Sequence, residues 1–506
     1  MYLLALDIGT TGCRSVIYTH DGIPVSLAYE EYNPSQRFHP KPGYEEMNPD
    51  VLWDIVVRTI RKSISNENIR SRDVQALGIT GIMGAWMVMG KNHKWLYPCI
   101  WTGDSRAREP IAKIMKEFEG IKDKDVSPSR LRRSARLTWF RKTMPDLYSQ
   151  TLNFLNPEDY IVYKLCGRIV TDYCSAHFIG PFDPFKKKWD SKCLEIAGID
   201  EVLMPETKPS SAIAGEVGSD VSEKTSLARG TPIVLGGYDV ICGALGVGAI
   251  EEGIASDVTG TVEQTAYTVP ENFLRKLDKL PTAPLWGGCH VAEDKYYVTG
   301  GIGRSSGPIL RWYRDTFADE EQRDAKKKNK DVYDILTEMA SKAEPGSKKL
   351  LLLPDFMFSN HGEGVLIGLS FEHSKNEIIR AILEGASFRM KEYIDRSEEL
   401  GLKTTELRAL GGGAKSSLWL QIKADIFQKT VIAPVITEAT SLGAAILAGI
   451  GIDVYKDAAE GVRRAYRVKE IHKPDERRSK VYERYYNIYR RLRPTLEGIF
   501  SDLASL

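Results

Sequence analysis

The sequence carries almost no net charge, because 69 Lys and Arg residues face 68 Asp and Glu residues over 506 positions. Near-neutrality removes the bulk attraction to phosphates that a dedicated nucleic-acid-binding protein has, so no such partner is expected. The longest nearly uncharged apolar run, residues 442–452, is too short to cross a bilayer, which needs about 20 residues. The first residues form a strand-like run with an acid at Asp7, not a basic and then apolar export signal. We expect a cytoplasmic protein with no membrane partner.

Cysteine is scarce and scattered, with seven residues and no Cys-x-x-Cys pair. This pattern predicts reduced thiols and excludes a disulfide framework or a zinc knuckle. The eight His residues form no cluster at metal-ligand spacing, so no structural metal is expected. The Walker A and Rossmann glycine motifs are also absent, which excludes the two commonest nucleotide-binding signatures.

The length predicts at least two domains, because single hydrophobic cores stop growing beyond roughly 250–300 residues. Helical and strand-like patterns alternate along the chain. The predicted elements are helices at 49–63, 376–400 and 417–427 and strands at 74–79 and 407–410. Such alternation is typical of α/β layers with a parallel or mixed sheet. The lysine-rich segment 319–330 is interpreted as a solvated loop or helix end.

The sequence contains an internal echo. Aligning Asp7 with Asp257, 250 positions apart, also aligns Thr11 with Thr261. In both places an apolar strand ends in an acid, and a short Gly/Thr turn then leads into a second β-prone run, which predicts a hairpin. The spacing is about half the chain, so the echo predicts two domains of related architecture, with a boundary near 243–253.

Three glycine-containing turns could bind phosphate or carry chemistry. The turn at 9–12 can bring successive N–H groups to a polyphosphate, with Asp7 before it and Arg14 after it, or it can be a plain hairpin. Asp239 follows a strand at 231–235 and precedes a small-residue helix, where it could be a proton acceptor or a helix N-cap. The turn at 411–413 also joins a strand to a helix and could bind a ligand or be an ordinary loop.

These segments together resemble the FGGY carbohydrate kinases over nearly the whole chain. The matching motifs are residues 7–14, 236–239, 258–261, 411–414 and 438–445. The most specific match is 364–369 followed by 377–384, which fits the C-terminal signature of that family. The resemblance implies two actin-like (ribonuclease-H-like) domains, residues 1–248 and 249–506, with an ATP and sugar cleft between them.

The resemblance also implies the chemistry, which is phosphoryl transfer from ATP to a hydroxyl of a small sugar or polyol with Mg²⁺. Asp239 would be the general base, and Asp7 would hold Mg²⁺ through water. The positions implied for the phosphates are Thr10, Thr11, Arg14, Thr259, Gly260 and Thr261. Those implied for the adenosine side are Gly307, Gly412 and Gly413.

Substrate choice is less well defined. Besides Asp239, the positions implied for the sugar are Met83, Gly84, Trp101, Asp104 and Arg106. The loop at 80–86 lies where xylulokinases carry Gln-Met-His and glycerol kinases carry Arg-Glu, and only Met83 agrees with either. Asp104 and Arg106 either face the sugar or pair with each other. Glycerol is therefore disfavoured, and a ketopentose such as xylulose is the default.

Other substrates stay open. The N-terminal signature of the family appears at 136–139 with Arg136 in place of Lys, and residues 106–109 and 312–315 resemble the quorum-signal (autoinducer) kinases. Ribulose, gluconate, erythritol and an autoinducer-like dione are the alternatives. A non-catalytic sugar-binding regulator would show eroded phosphate motifs, and these motifs are intact.

The C-terminal segment 463–493 is basic and places four tyrosines at helical spacing. These are Tyr482, Tyr485, Tyr486 and Tyr489. Rings among basic residues could stack on a nucleic acid. The favoured interpretation is an amphipathic helix that docks its tyrosine stripe on the protein body. Assembly into a homodimer stays open.

Overall fold

The computed structural model describes residues 1–33, 37–65, 68–260, 263–280, 285–303, 307–354, 356 and 364–505. The strands, in chain order, are β1 (Tyr2–Ile8), β2 (Gly12–Thr19), β3 (Pro24–Glu31), β4 (Arg37–Phe38), β5 (Glu46–Met47), β6 (Val74–Gly81), β7 (Trp86–Gly90), β8 (Trp95–Ile100), β9 (Thr151–Leu155), β10 (Val170–Asp172), β11 (Phe182–Asp183), β12 (Lys188–Trp189), β13 (Glu206–Lys208), β14 (Ile213–Glu216), β15 (Pro232–Tyr238), β16 (Ile254–Thr259), β17 (Glu263–Val269), β18 (Trp286–Cys289), β19 (Tyr296–Gly303), β20 (Leu351–Leu353), β21 (Val365–Ile367), β22 (Glu406–Leu410), β23 (Thr430–Pro434) and β24 (Val468–His472).

The helices follow the same order. They are α1 (Pro49–Ile64), α2 (Arg108–Glu119), α3 (Pro128–Arg133), α4 (Ala135–Thr143), α5 (Pro145–Gln150), α6 (Pro157–Cys166), α7 (Ala176–Ile179), α8 (Ser191–Ala197), α9 (Ser219–Thr225), α10 (Asp239–Gly246), α11 (Glu271–Asp278), α12 (Gly307–Phe317), α13 (Asp319–Lys328), α14 (Val332–Ser341), α15 (Lys375–Glu399), α16 (Ser417–Phe427), α17 (Ala439–Gly451), α18 (Ala458–Ala465) and α19 (Glu476–Ala504).

The chain forms two compact units. The first comprises Met1–Ile250, Thr268–Val298 and Ala439–Tyr466. Its main sheet has the strand order β14-β15-β6-β1-β2-β3, in which β1 is antiparallel to β2 and β6 is parallel to both β1 and β15. Because parallel strands end at the same edge, the carboxyl ends of β1, β6 and β15 form one row, and this edge is where α/β folds bind ligands.

The first unit takes in two stretches that lie beyond the predicted division at residue 248. Residues 439–451 form α17, which packs on α10, β1, β6 and β15 of this unit. The two helices approach closely because each carries a glycine at the contact: a Cβ atom at Gly443 would clash with the carbonyl oxygen of Cys242, and one at Gly246 with that of Ala439. Helix α17 therefore belongs to the first compact unit because of its packing, although it lies late in the chain.

The second unit comprises Glu251–Tyr267, Thr299–Glu438 and Arg467–Leu506. Strand β16 is antiparallel to β17 and parallel to β22, β22 is parallel to β23, and β23 is antiparallel to β24. The hairpin β16–β17 with its parallel neighbour β22 repeats the arrangement of β1, β2 and β6. The two hairpins that the sequence echo predicts are therefore confirmed.

Most predicted elements are confirmed within a few residues, as α1, α15, α16, β6 and β22. The prediction for 319–330 is wrong, because Asp319–Lys328 forms a complete helix with acidic residues in its first turn and lysines in its last. That arrangement of charge complements the helix dipole. The seven cysteines are free thiols, as predicted. Among the described residues, no helix is long and apolar enough to span a membrane.

The C-terminal helix docks its tyrosines on the second unit. Tyr482, Tyr486 and Tyr489 are buried, and their rings pack around Phe388 of α15 with centroids 5.4–6.1 Å away. The hydroxyl of Tyr482 donates to Glu384 at 2.8 Å and accepts from Arg380 at 2.8 Å. The amphipathic-helix interpretation of this segment is confirmed.

Candidate active site

The turn at residues 9–12, which the sequence predicts to bind phosphate, lies at the end of β1. Asp7 is buried and pairs across the hairpin with Arg14, whose Nη1 lies 3.5 Å from Oδ2 of Asp7. The Gly9 N–H donates to the Gly12 carbonyl at 3.0 Å and closes the turn. Arg14 is partly exposed and lies over the ring of Tyr29, 5.2 Å from its centroid.

The threonines of this turn are held through their carbonyl groups. The indole N–H of Trp101 donates to the Thr10 carbonyl at 3.2 Å, and the Tyr32 N–H donates to the Thr11 carbonyl at 2.9 Å. Trp101 is buried and packs edge-on against the ring of Tyr32, 5.7 Å away. Trp101, predicted from sequence as a sugar contact, therefore supports the phosphate turn in this structure.

Asp239 is the first residue of α10, directly after β15. The N-cap position belongs to Tyr238, so the N-cap interpretation of Asp239 is wrong. Its Oδ1 accepts the N–H of Val240 at 2.7 Å. Burial raises the pKa of Asp239 to about 8, the negative charge of Asp7 acts in the same direction, and the Val240 N–H opposes both. A carboxyl group with this pKa exchanges protons close to neutral pH.

The strand register brings Asp7 and Asp239 to the same sheet edge. Asp7 is opposite Thr80 of β6, and Thr80 is opposite Gly237 of β15, so only β6 separates the two strands. The preceding Gly236 has a φ of +73°, and a Cβ atom there would clash with the carbonyl oxygen of Ile79. The absence of a side chain at Gly236 therefore allows β15 to lie close to β6.

Met83 and Gly84 follow the end of β6 and are half-buried. Gly84 has a φ of +92°, in the left-handed region that favours glycine. The two residues lie in the loop between Gly81, which is opposite Tyr238, and Trp86. The sequence-predicted sugar loop is thus attached to the strand beside the one that carries Asp239.

Asp104 and Arg106 form a buried ion pair, one of the two interpretations left open by the sequence. Both side chains are 2% exposed, with Arg106 Nη2 2.5 Å from Asp104 Oδ2. Arg106 also donates to Glu46 at 2.6 Å and to the hydroxyl of Tyr97 at 2.7 Å. The ring of Tyr44 covers the guanidinium at 3.9 Å. These contacts give the pair a structural role in the loop.

Sequence reasoning missed three buried acids beneath the strand ends. Asp172 accepts hydrogen bonds from Ser210 and from the N–H groups of Cys174 and Ser175, and burial raises its pKa to about 6. Glu158 lies against Gly81, and burial raises its pKa well above the usual range. Burial also raises the pKa of Asp159 to about 8. The Asn-Pro-Glu-Asp run at 156–159 was the available signal.

The second unit brings its own predicted residues together. A Cβ atom at Gly307 would lie 2.5 Å from the Gly260 carbonyl, and one at Gly411 would lie 2.7 Å from the Thr259 carbonyl. Gly413 also lies against the side chain of Thr259. A Cβ atom at Gly412 would meet no atom within 4 Å. Thr261 lies outside the described residues.

Asp257, the acid of the second hairpin, forms an ion pair with a lysine. Lys423 of α16 is fully buried and lies 2.6 Å from Asp257 and 3.3 Å from Glu263, and it also donates to the hydroxyl of Thr259. The two hairpins therefore differ chemically, since Asp7 is next to a partly exposed arginine and Asp257 is neutralised from within. The sequence signal for Lys423 was a lysine inside an otherwise apolar helix face.

Comparison with known protein families identifies the family of this chain. Residues 2–246 match the N-terminal domain of the FGGY family of carbohydrate kinases, and residues 272–452 match its C-terminal domain. The chain belongs to the FGGY family of carbohydrate kinases. It is therefore a phosphotransferase that uses ATP to phosphorylate a sugar-type substrate, and its two-domain α/β fold is as predicted.

The FGGY relatives span the chain from end to end. A gluconokinase of Bacillus subtilis (strain 168) is 28% identical over 99% of this chain and 98% of its own. An autoinducer-2 kinase of Salmonella typhimurium is 27% identical over 98% and 96%. A xylulose kinase from Lactobacillus acidophilus has the same fold, with a TM-score of 0.85, 21% identity and 99% coverage of both chains.

The FGGY signature at 377–384 is structural in this chain. Glu377 forms a capping box with Ser374 at the start of α15, accepting the Ser374 N–H at 2.8 Å. Glu384 is buried and binds Arg380 at 2.8 Å and the Gly346 N–H at 3.0 Å. These residues fix the long helix on which the C-terminal tyrosines pack.

Proposed function

We propose that this kinase transfers the γ-phosphate of ATP to a hydroxyl of a small sugar, polyol or sugar acid, with Asp239 as the general base. The observation that carries the proposal is the position of Asp239 at the strand-to-helix corner beside the first phosphate turn, with its pKa raised to about 8 by burial. A carboxylate held there can accept the hydroxyl proton and orient the attacking oxygen.

The nucleotide phosphates are assigned to the glycine turns. Thr10, Thr11 and Arg14 would contact phosphate oxygens from the first unit, and Thr259, Gly260 and Thr261 from the second. Gly307, Gly412 and Gly413 would line the adenosine side, where the open space at Gly412 leaves room for a flat ring. Backbone N–H groups at such turns bind anions without needing net positive charge.

Asp7 fits the role of magnesium ligand through water better than its counterpart in the second hairpin. Its carboxylate oxygens are hard donors of the type Mg²⁺ prefers, and Arg14 approaches it only to 3.5 Å. Asp257 does not fit, because Lys423 already neutralises it. When bound, Mg²⁺ would neutralise charge on the phosphates.

The choice of acceptor is considered from the relatives and from the loop that follows β6. Gluconokinase and autoinducer-2 kinase are the names of relatives that align along the whole chain, whereas the xylulose kinase likeness concerns the fold. Met83 and Gly84 offer no polar side chain, so hydroxyl recognition has to come from other groups. A ketopentose such as xylulose is the reference substrate against which others are compared.

A coupled ADP-release assay tests the proposal with pentuloses, polyols and sugar acids. We expect at least one of them to stimulate ATP consumption and to give a phosphorylated product by mass spectrometry. Asp239→Asn should reduce that turnover roughly 10²–10⁴-fold, the usual contribution of a general base. Unchanged turnover in the variant, or no stimulation by any compound, would refute the proposal.

A further inference from the structure

A pocket of about 400 Å³ in the first unit has an unusual concentration of arginine. It lies among α2, α3, α4 and α7, and its lining includes Met115, Arg132, Arg133, Arg136, Phe178 and Trp286. The guanidinium groups of three arginines contribute to the pocket wall, and aromatic and aliphatic side chains form most of the rest. Ligand pockets for small polar molecules have this composition, with a few charged groups on a mostly apolar wall.

Two of these arginines have no acidic partner among the described residues. Arg132 does have one, since it is paired with Glu119 at 2.8 Å. Among the described residues, Arg133 donates to the carbonyl oxygens of His177, at 3.4 Å, and Gly287, at 3.1 Å. Arg136 Nη1 is buried and has no hydrogen-bond partner in the described part of the chain.

Asp278 attracts Arg133 and Asp104 attracts Arg136 through space, and each of these two acids also forms an ion pair with another arginine. Asp278 lies 3.1 Å from Arg130, and Asp104 lies 2.5 Å from Arg106. The Arg136 guanidinium lies over the ring of Trp86, 6.0 Å from its centroid. Among the described residues, neither Arg133 nor Arg136 therefore forms a direct ion pair with a carboxylate, which leaves both guanidinium groups able to bind an anion.

Such an arrangement is costly in the ligand-free protein. Burial lowers the pKa of Arg136 to about 10 and also lowers that of Arg133, because desolvation disfavours the charged form. A buried charge without a partner destabilises a fold, so an anionic ligand would relieve the strain. The planar fork of a guanidinium matches a carboxylate with two parallel hydrogen bonds.

The pocket is connected to the proposed base through aromatic rings. Phe178 lies 5.0 Å from the ring of Tyr238, and Trp286 lies 5.9 Å from it. Tyr238 immediately precedes Asp239, and all these residues belong to the first unit. Two rings of the pocket wall therefore pack on the residue that directly precedes Asp239.

We propose that the acceptor substrate is a sugar acid, with its carboxylate bound by Arg133 and Arg136 and a distal hydroxyl directed at Asp239. This assignment rests on the proposed kinase function and narrows its substrate class. It departs from the sequence-based default, because xylulose has no charged group for these arginines. Arg133 and Arg136 become the residues that select acids over neutral sugars.

The test compares matched acceptors that differ only at one end. Aldonates such as gluconate and xylonate are paired with the corresponding alditols, in which CH₂OH replaces the carboxylate, and xylulose is included. We expect kcat/KM for an aldonate to exceed that for its alditol at least roughly 100-fold, as expected for charge-assisted hydrogen bonds. Faster turnover of xylulose or of any alditol than of every aldonate would overturn the proposal.

Variants assign the selectivity to the pocket. Arg136→Gln should lower aldonate kcat/KM roughly 10- to 100-fold and leave any turnover of the alditol unchanged. Its Tm without ligand should be unchanged or higher, because an unpaired buried charge is removed. Lys142→Gln removes one exposed positive charge from the same helix and should change neither value. An equal loss for both acceptors, or a lower Tm together with that loss, would indicate a structural role and contradict the proposal.

Calorimetric titration separates this proposal from the kinase proposal. Without nucleotide, the wild-type protein should bind an aldonate and not its alditol, and Arg136→Gln should lose that binding. If no acceptor is phosphorylated but this selective binding is seen, the pocket assignment stands and the kinase proposal fails. If acceptors are phosphorylated but aldonates do not bind, or inorganic phosphate binds in their place, the kinase proposal stands and the carboxylate assignment fails.

Discussion

At the residue scale, Asp239 and Arg106 show how the surroundings of a charged side chain determine its role. Asp239 is half-buried near another carboxylate, Asp7, so its proton is held more firmly than usual. Arg106 is buried among carboxylates and aromatic rings that satisfy it. The first arrangement favours proton transfer, and the second favours rigidity of the loop.

The raised pKa of Asp239 predicts the pH dependence of the reaction. Below pH 8 most of the free enzyme carries the protonated form, which cannot accept a proton. We therefore expect kcat/KM to rise with pH and to level off above about pH 8. Initial rates at subsaturating ATP and acceptor, measured from pH 6 to 9.5, test this. A profile that is flat over that range would contradict the assignment of Asp239 as a base with this pKa.

The same shift has a consequence for stability. The folded state binds the proton of Asp239 more tightly than the unfolded chain does. Protonation of Asp239 therefore stabilises the folded state at low pH, and this contribution to the free energy of unfolding is lost as pH rises from about 4 to 8. Asp239→Asn cannot titrate, so the variant should gain stability relative to wild type over this window. Urea unfolding of both proteins at pH 6 and pH 8.5 measures the difference in their free energies of unfolding at each pH.

Arg106→Gln should destabilise the protein by about 3–5 kcal/mol, because it leaves the buried carboxylates of Asp104 and Glu46 without their cation. Urea unfolding measures the loss. Lys113→Gln breaks an exposed pair with Glu109 and should change the free energy of unfolding by less than about 0.5 kcal/mol. If Arg106→Gln instead unfolds like wild type and raises only the KM for the acceptor, the residue contacts the substrate.

At the element scale, the close contact between α10 and α17 in the first unit depends on glycines, which have no side chain. Gly443 of α17 packs against the backbone of α10, and a methyl group there would clash with the Cys242 carbonyl oxygen. Gly498 of α19 has no atom within 4 Å of the position that a Cβ would take. The two glycines are in helices, so intrinsic helix propensity alone would treat them alike.

Replacing each glycine with alanine should therefore give opposite effects. Gly443→Ala should destabilise by about 1–3 kcal/mol, the usual penalty for forcing extra volume into a packed contact. Gly498→Ala should stabilise by up to about 1 kcal/mol through helix propensity. Thermal unfolding of both variants against wild type makes the comparison. Equal shifts of the same sign would show that α10 and α17 can move apart without cost.

At the scale of the whole molecule, the first unit depends on residues from near the end of the chain. Helix α17 covers β1, β6 and α10, although about 190 residues separate its start from the end of that first long segment at Ile250. The N-terminal sequence region alone therefore lacks a layer of its own core. Such an arrangement makes folding of that unit depend on contacts distant in sequence.

A fragment of residues 1–248 should consequently not fold by itself. We expect it to aggregate or to unfold without a cooperative transition, because the apolar surfaces that α17 covers would be exposed. The full chain is the control, with near-ultraviolet circular dichroism and urea titration as the measurements. A fragment that unfolds cooperatively and retains aldonate binding would show that 1–248 is an autonomous domain.

Local pattern was enough to predict much of this protein. The repeated acid-and-glycine hairpins, the helices α1, α15 and α16 and the motif set at 236–239 and 364–384 are encoded by short stretches, because turn chemistry and side-chain periodicity act over a few residues. That information predicts an α/β kinase with two related hairpins. It does not reveal how Asp7 and Asp257 differ, since both follow an apolar strand.

Tertiary structure decided the rest. Lys423, 166 positions away, neutralises Asp257, and Glu46 joins Asp104 in binding Arg106. The raised pKa of Asp239 and the lowered pKa of Arg136 depend on which groups surround them after folding, because desolvation and Coulomb interactions act through space. The sequence by itself determined the fold and the class of reaction, whereas only the folded chain decided which charged groups surround each site residue, because those groups come from distant parts of the chain.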